Sequence, residues 1–204
     1  MGLRRVITCV AVVVVAAGAS VAMAAQVRGP DPRLMVLRSS DLVGYVRVSG
    51  AYSSNADKAD GLSPALARLV RENRLGGYDV TFRTRLKPDT VTSVAGAGVG
   101  HYRTPVTAAQ LLHARWNEIE QIGTAERIPL RQSIGDEARL YKASIDVYLK
   151  DKGVGYTHEE YDVEYRYGPV VGGVNLNGPR GDVTAAMVLL LARKQLARIK
   201  LELG

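Results

Sequence analysis

Two stretches of strict alternation mark the chain. Tyr78, Val80, Phe82, Thr84 and Leu86 fall on one face of an extended segment, with Asp79, Thr81, Arg83 and Arg85 on the other. Tyr161, Val163, Tyr165 and Tyr167 alternate in the same way with Glu160, Asp162, Glu164 and Arg166. A period of two belongs to a half-buried strand. Each stretch runs into a turn and a second apolar segment: Lys87-Pro88-Asp89 leads to 91–102, and Gly168-Pro169 leads to 170–176. Turns this short predict two antiparallel hairpins. A further strand is expected at 43–48, short ones at 127–130 and 138–143, and 146–154 reads as strand or turn.

Three segments carry helical spacing instead. Ser63-Pro64 places an N-cap ahead of proline at the first helical position, with Leu66, Leu69 and Val70 behind it and Gly76-Gly77 as the expected stop. Thr104-Pro105 repeats the device and opens a helix to about Ile122, with Leu111, Leu112, Trp116 and Ile119 at helical intervals. Asp182 is the expected cap of a final helix over 183–203, in which Leu189, Ala192, Leu196, Ile199 and Leu203 form a buried stripe. Hairpins separated by helices predict an α+β fold, a mainly antiparallel sheet with helices packed on it. If the two alternating strands were neighbours, Arg83 and Arg85 would pair across them with Glu160, Asp162 and Glu164.

The first residues change the picture of where this domain works. Arg4-Arg5, an apolar run from Val6 to Ala17, and Ala22-Met23-Ala24 have the order of a secretory signal peptide, with cleavage expected after Ala24. The alternative is an uncleaved anchor, but the stretch barely spans a hydrocarbon core and its second half is Ala, Gly and Ser. The general export route fits better than a twin-arginine one. The domain division is therefore signal peptide 1–24, a Gly/Pro linker 25–33, and one α+β domain 34–204, secreted and without a membrane span after cleavage. Cys9 is the only cysteine and lies within the leader. The remainder can form neither disulfides nor thiolate metal sites, so stability rests on packing. The chain has 27 Lys and Arg against 20 Asp and Glu, a net charge of +7 that falls by two with the leader. These charges are dispersed without a basic run, which argues against nucleic acid and leaves a small molecule or an envelope protein or polymer as partner.

No motif points to a cofactor or a metal. Gly96, Gly98 and Gly100 lie inside a strand rather than between strand and helix, which does not fit a dinucleotide loop. Spaced by two, they strip one face of side chains, so that either a helix packs close or a ligand lies against backbone. Tyr102 shares that face and His101 points away. The tyrosine row could line a pocket, and its phenols pair an apolar body with a polar tip. The candidate ligand-binding residues are therefore Gly96, Gly98, Gly100, Tyr102, Tyr161 and Tyr165. His101, His113 and His158 show no ligand spacing; His113 reads as a partly buried helix residue and His158 as a solvated strand end. Asp136, in Ile134-Gly135-Asp136-Glu137-Ala138, reads as a locally bonded turn residue. No GxSxG elbow is present, and a dispersed Ser/His/Asp triad is the reading with least support.

Several short stretches carry a resemblance: Asp41-Leu42-Val43-Gly44-Tyr45, Asn73-Arg74-Leu75-Gly76-Gly77-Tyr78, Gly135-Asp136-Glu137-Ala138 and 191–199 (LARKQLARI). Together, over about 37–200, they resemble exported bacterial proteins of unassigned function. That group is similar to the extracellular sensor-type domain of mycobacterial serine/threonine kinases and to the Mog1/PsbP-like α/β sandwich. The kinase domains carry disulfides, which this chain lacks. The resemblance implies a non-enzymatic binding or sensing module of the cell envelope. The alternative is a structural or partner-binding envelope protein without a small-molecule pocket.

Overall fold

The computed structural model describes residues 29–85, 92–149 and 154–204. The signal-peptide reading of 1–24 and the turn at Lys87-Pro88-Asp89 lie outside them. The chain runs through β1 (Tyr45–Tyr52), α1 (Asn55–Ala59), α2 (Pro64–Asn73), β2 (Arg74–Thr84), β3 (Val94–Tyr102) and α3 (Pro105–Ile122). It continues through β4 (Glu126–Ile128), β5 (Glu137–Leu149), β6 (Val154–Tyr167), β7 (Val170–Pro179) and α4 (Ala185–Leu203). The strands make one antiparallel sheet in the order β1-β2-β3-β7-β6-β5-β4. Both expected hairpins, β2-β3 and β6-β7, are present, and β3 and β7 join them at the centre of the sheet. The α+β class read from the sequence is the observed one.

The two faces of the sheet are covered differently. Tyr78, Val80 and Phe82 of β2, Ala95, Ala97 and Val99 of β3, and Tyr161, Val163 and Tyr165 of β6 form the main core together with α4. From α4 come Val188, Leu191, Ala192, Leu196 and Ile199, the stripe anticipated from spacing with two further members. Burying side chains of this size is worth about 1.5–3 kcal/mol each. In place of bridges, this layer holds the domain together. The other face carries α2 and α3 over two small, separate clusters, one around Val70 and Leu111 and one around Leu112, Trp116 and Tyr141.

Several local expectations change on contact with the structure. Gly76-Gly77 does not stop α2; both lie inside β2, which follows the helix directly. The buried Arg74 explains the glycine. Its guanidinium donates to Ser53 O at 2.7 Å and Ser53 Oγ at 2.6 Å, and a Cβ at Gly77 would occupy the place of its terminal nitrogen. The cap of α4 is Thr184 rather than Asp182, its hydroxyl accepting from Met187 N at 3.3 Å. Val183 before the cap and Val188 in the first turn are both buried in the main core, which fixes the entry of the chain into the helix. Strand β1 begins at Tyr45, after Gly44 at φ 82°, and leaves Val43 exposed. The 146–154 stretch is strand on both its described sides. Asp136 does not bond locally. Its carboxylate accepts from Gly168 N at 2.8 Å and from Arg166 at 2.7 Å, tying the β5 entrance to the β6-β7 turn. Of the 25–33 linker, the described part docks on the domain: Asp31 caps a short 3-10 turn and Pro32 is buried.

The pairing of Arg83 and Arg85 with the β6 carboxylates is also overturned. Strands β3 and β7 stand between β2 and β6. Glu164 bonds instead to Arg115 of α3, which lies above the sheet.

Candidate functional site

Register fixes what lies beside what on the α2/α3 face. One transverse row reads Asp79, Gly98, Gly173, Glu164, and the next reads Thr81, Gly96, Asn175, Asp162. Side chains at the ends of each row thus flank a centre with few or none. Where a strand supplies no Cβ, the layer above has nothing to pack against. Here that leaves a cavity of about 390 Å³ between the glycine strands and the helices. Leu62 and Leu66 near α2 and Leu111 of α3 make its apolar wall, and Arg115 and Glu118 follow one and two turns along α3.

The floor is bare of its own side chains but not of polar groups. A Cβ at Gly98 would collide with Asp79 Oδ1, and one at Gly96 with Asn175 Oδ1. A Cβ at Gly100 would come within 3.0 Å of the Tyr102 ring. The glycines let β2 and β7 lay a carboxylate and an amide across β3, and let the phenol of β3's own Tyr102 lie back over Gly100. No helix packs close on this strand, as one reading expected; side chains approach it instead, with open space above them.

Of the six candidates from the sequence, Gly96, Gly98, Gly100 and Tyr102 line this cavity. Tyr161 and Tyr165 do not join them. They point to the opposite face of the sheet, into the core under α4. Tyr165 is fully buried, and its hydroxyl donates to Gln195 Oε1 at 3.1 Å; Gln195 Nε2 in turn donates to Gly98 O at 3.0 Å. The tyrosine is a structural partner of the floor from behind, not part of its surface. Burial raises its pKa well above the usual phenol range.

The polar wall was missed by reading the sequence. Asp79, Glu118, Asp162 and Glu164 supply carboxylates, and Lys58, Arg74 and Arg115 supply cations. Lys58 Nζ lies 3.0 Å from Asp79 Oδ2. Arg115 Nε donates to Glu164 Oε1, while Glu164 Oε2 is buried and without a hydrogen-bond partner. Burial pushes the Asp162 carboxyl up to about 8, and the Glu164 charge adds to this; Arg115 opposes it and Glu160 adds a little more. The signal was present as three alternating carboxylates, but the α3 cover that buries Glu164 is set by tertiary packing.

The histidines lie elsewhere. His113 bonds Glu137 at 2.5 Å, with its side chain 53 % exposed rather than partly buried, and its ring lies against Trp116. His101 is buried, which lowers its pKa. Among the described residues no serine bonds a histidine, and no cluster of His, Cys, Asp and Glu could hold a metal ion.

With this geometry in view, comparison with known proteins is informative about fold alone. No family profile and no curated protein matches the sequence. Among solved structures, the extracellular domain of PknH from Mycobacterium tuberculosis superposes with a TM-score of 0.54 at 11% identity. The match covers 85% of this chain and 98% of that domain. The chain shares that domain's fold. The resemblance to kinase extracellular sensor domains thus extends to the architecture. A structure from Bacteroides thetaiotaomicron matches at 14% identity and a TM-score of 0.29, over 55% of this chain and 35% of that one.

Proposed function

We propose that this chain is an extracytoplasmic binding or sensing domain, non-enzymatic, whose ligand lies on the glycine floor of β3 and β7. The observation that carries the reading is the cavity itself: about 390 Å³, with an apolar wall on one side and a buried, unpartnered carboxylate oxygen on the other. Its volume lies within the roughly 300–1,000 Å³ of small-molecule sites, and an apolar wall facing placed polar groups gives a ligand both contact area and orientation. The export pattern of residues 1–24 and the likeness in fold to an extracellular domain support a place outside the cytoplasm. No helix of the described residues is long and apolar enough to cross a membrane.

Native mass spectrometry of the protein purified from its own host tests this reading. The parent is expected to retain a small molecule that Gly98→Leu, whose side chain rises from the floor, does not. Recovery of the parent with no small molecule but with a bound protein would overturn it in favour of an envelope partner-binding role.

A further inference from the structure

The cavity wall discriminates by charge. Its cations are already engaged: Lys58 by Asp79, Arg115 by Glu164, and Arg74 by Ser53 and Asn55 at 2.6–3.2 Å. Two of its acceptors are not. The Glu164 side chain is only 7% exposed, yet Oε2 has no donor. Such an orphaned buried acceptor costs about 1–3 kcal/mol, and more when charged. Asp162 lies two residues away on the same face of β6, opposite Asn175. Among the described residues no side chain donates a hydrogen bond to it.

The charges acting on Asp162 are Glu164, Arg115 and Glu160, and the cavity wall carries the other titratable groups. Glu160 and Glu164 share its strand, and α3 presents Arg115 and Glu118. From β2 come Asp79 and Arg74, from α1 Lys58, and from β3 the phenol of Tyr102. Carboxylates outnumber cations in this set. A ligand that brings donors and positive charge satisfies both the orphaned oxygen and the excess of acid; a neutral donor satisfies only the first, and an anion neither.

We propose that the ligand is a small organic cation whose primary ammonium sits between Asp162 and Glu164 Oε2, with an apolar body along Leu62, Leu66 and Leu111. This rests on the cavity being the binding site and names the chemistry it selects. The proton balance then has a consequence. At neutral pH Asp162 holds a proton, and seating an ammonium expels it to solvent. Affinity should rise about tenfold per pH unit between pH 6 and 8, and level off above.

The test uses the full chain, isotopically labelled, with n-hexylamine, 1-hexanol and hexanoate as probes matched in length. Amide shifts of Gly98, Gly100 and Glu164 report occupancy. Hexylamine should saturate these shifts, with hexanol and hexanoate at least tenfold weaker. Asp162→Asn should keep the parent's amide spectrum and lose the pH slope. Equal binding of hexanol and hexylamine would overturn the inference while leaving the cavity as a binding site. Silence toward all three probes would overturn it too, and a molecule retained on host-purified protein would then still uphold the site. A pH slope unchanged in Asp162→Asn would remove Asp162 from the account.

Discussion

Replacing Asp162 with asparagine should stabilise the free protein at alkaline pH. In the unfolded chain this carboxyl ionises near 3.8, whereas in the folded domain burial and Glu164 raise it to about 8. Between those values the folded state holds a proton that the unfolded state has released. Stability therefore falls as pH rises through that window and is level above it. A shift of about four units corresponds to a limit of ~5–6 kcal/mol at about 1.4 kcal/mol per unit. Asp162 touches water, so a third of that, about 2 kcal/mol, is the realistic size. Asparagine keeps the shape and cannot ionise. Urea unfolding of parent and Asp162→Asn at pH 4.5 and 8.5 measures the difference. The two should match at the acid end, and the variant should be firmer by about 2 kcal/mol at the alkaline end. A gap independent of pH would refute the reasoning, because a lost contact rather than a lost charge would then govern the site. Strain of this sort at an open cavity is what a binding site trades for function.

Other perturbations separate the floor from its support. Gly172→Ala places a Cβ 2.6 Å from Cζ of the fully buried Tyr165, so overpacking should cost about 1–3 kcal/mol in an unfolding titration. Gly98→Ala meets only the end of the half-exposed Asp79 side chain and should cost under about 1 kcal/mol. Tyr165→Phe removes the donor to Gln195 Oε1, which is fully buried, and should cost about 1–3 kcal/mol by the same assay. Thr104→Ala removes the side-chain acceptor for Thr107 N at the start of α3 and should lower stability by about 1 kcal/mol.

What could be read from the sequence was whatever depends on a few adjacent residues. The alternation at 78–84 and 161–167, the cap-and-proline pairs at Ser63-Pro64 and Thr104-Pro105, and the stripe on α4 all became elements in place. Period two tells which residues of one strand share a face. It does not tell how faces align between strands, since that depends on register through whatever lies between. Tyr161 and Tyr165 were grouped with the glycines for want of that register, and β7 shows them to be on opposite sides. Asp162 and Glu164 are matched with Arg83 and Arg85 in the sequence for a related reason, and β3 and β7 separate the two strands. Only the packing of α3 reveals that Arg115 closes over Glu164. Gly76-Gly77 failed differently: the glycine needed for a guanidinium to lie on β2 resembles, in sequence, the glycine that ends a helix.

Determining the crystal structure of protein purified from its own host addresses the binding site without any choice of probe. Density for a bound molecule above Gly96, Gly98 and Gly100, with a donor within hydrogen-bond reach of Glu164 Oε2, is the expected outcome. A cavity holding water alone, with a ligand seated elsewhere on the domain, would contradict the assignment of this face as the site.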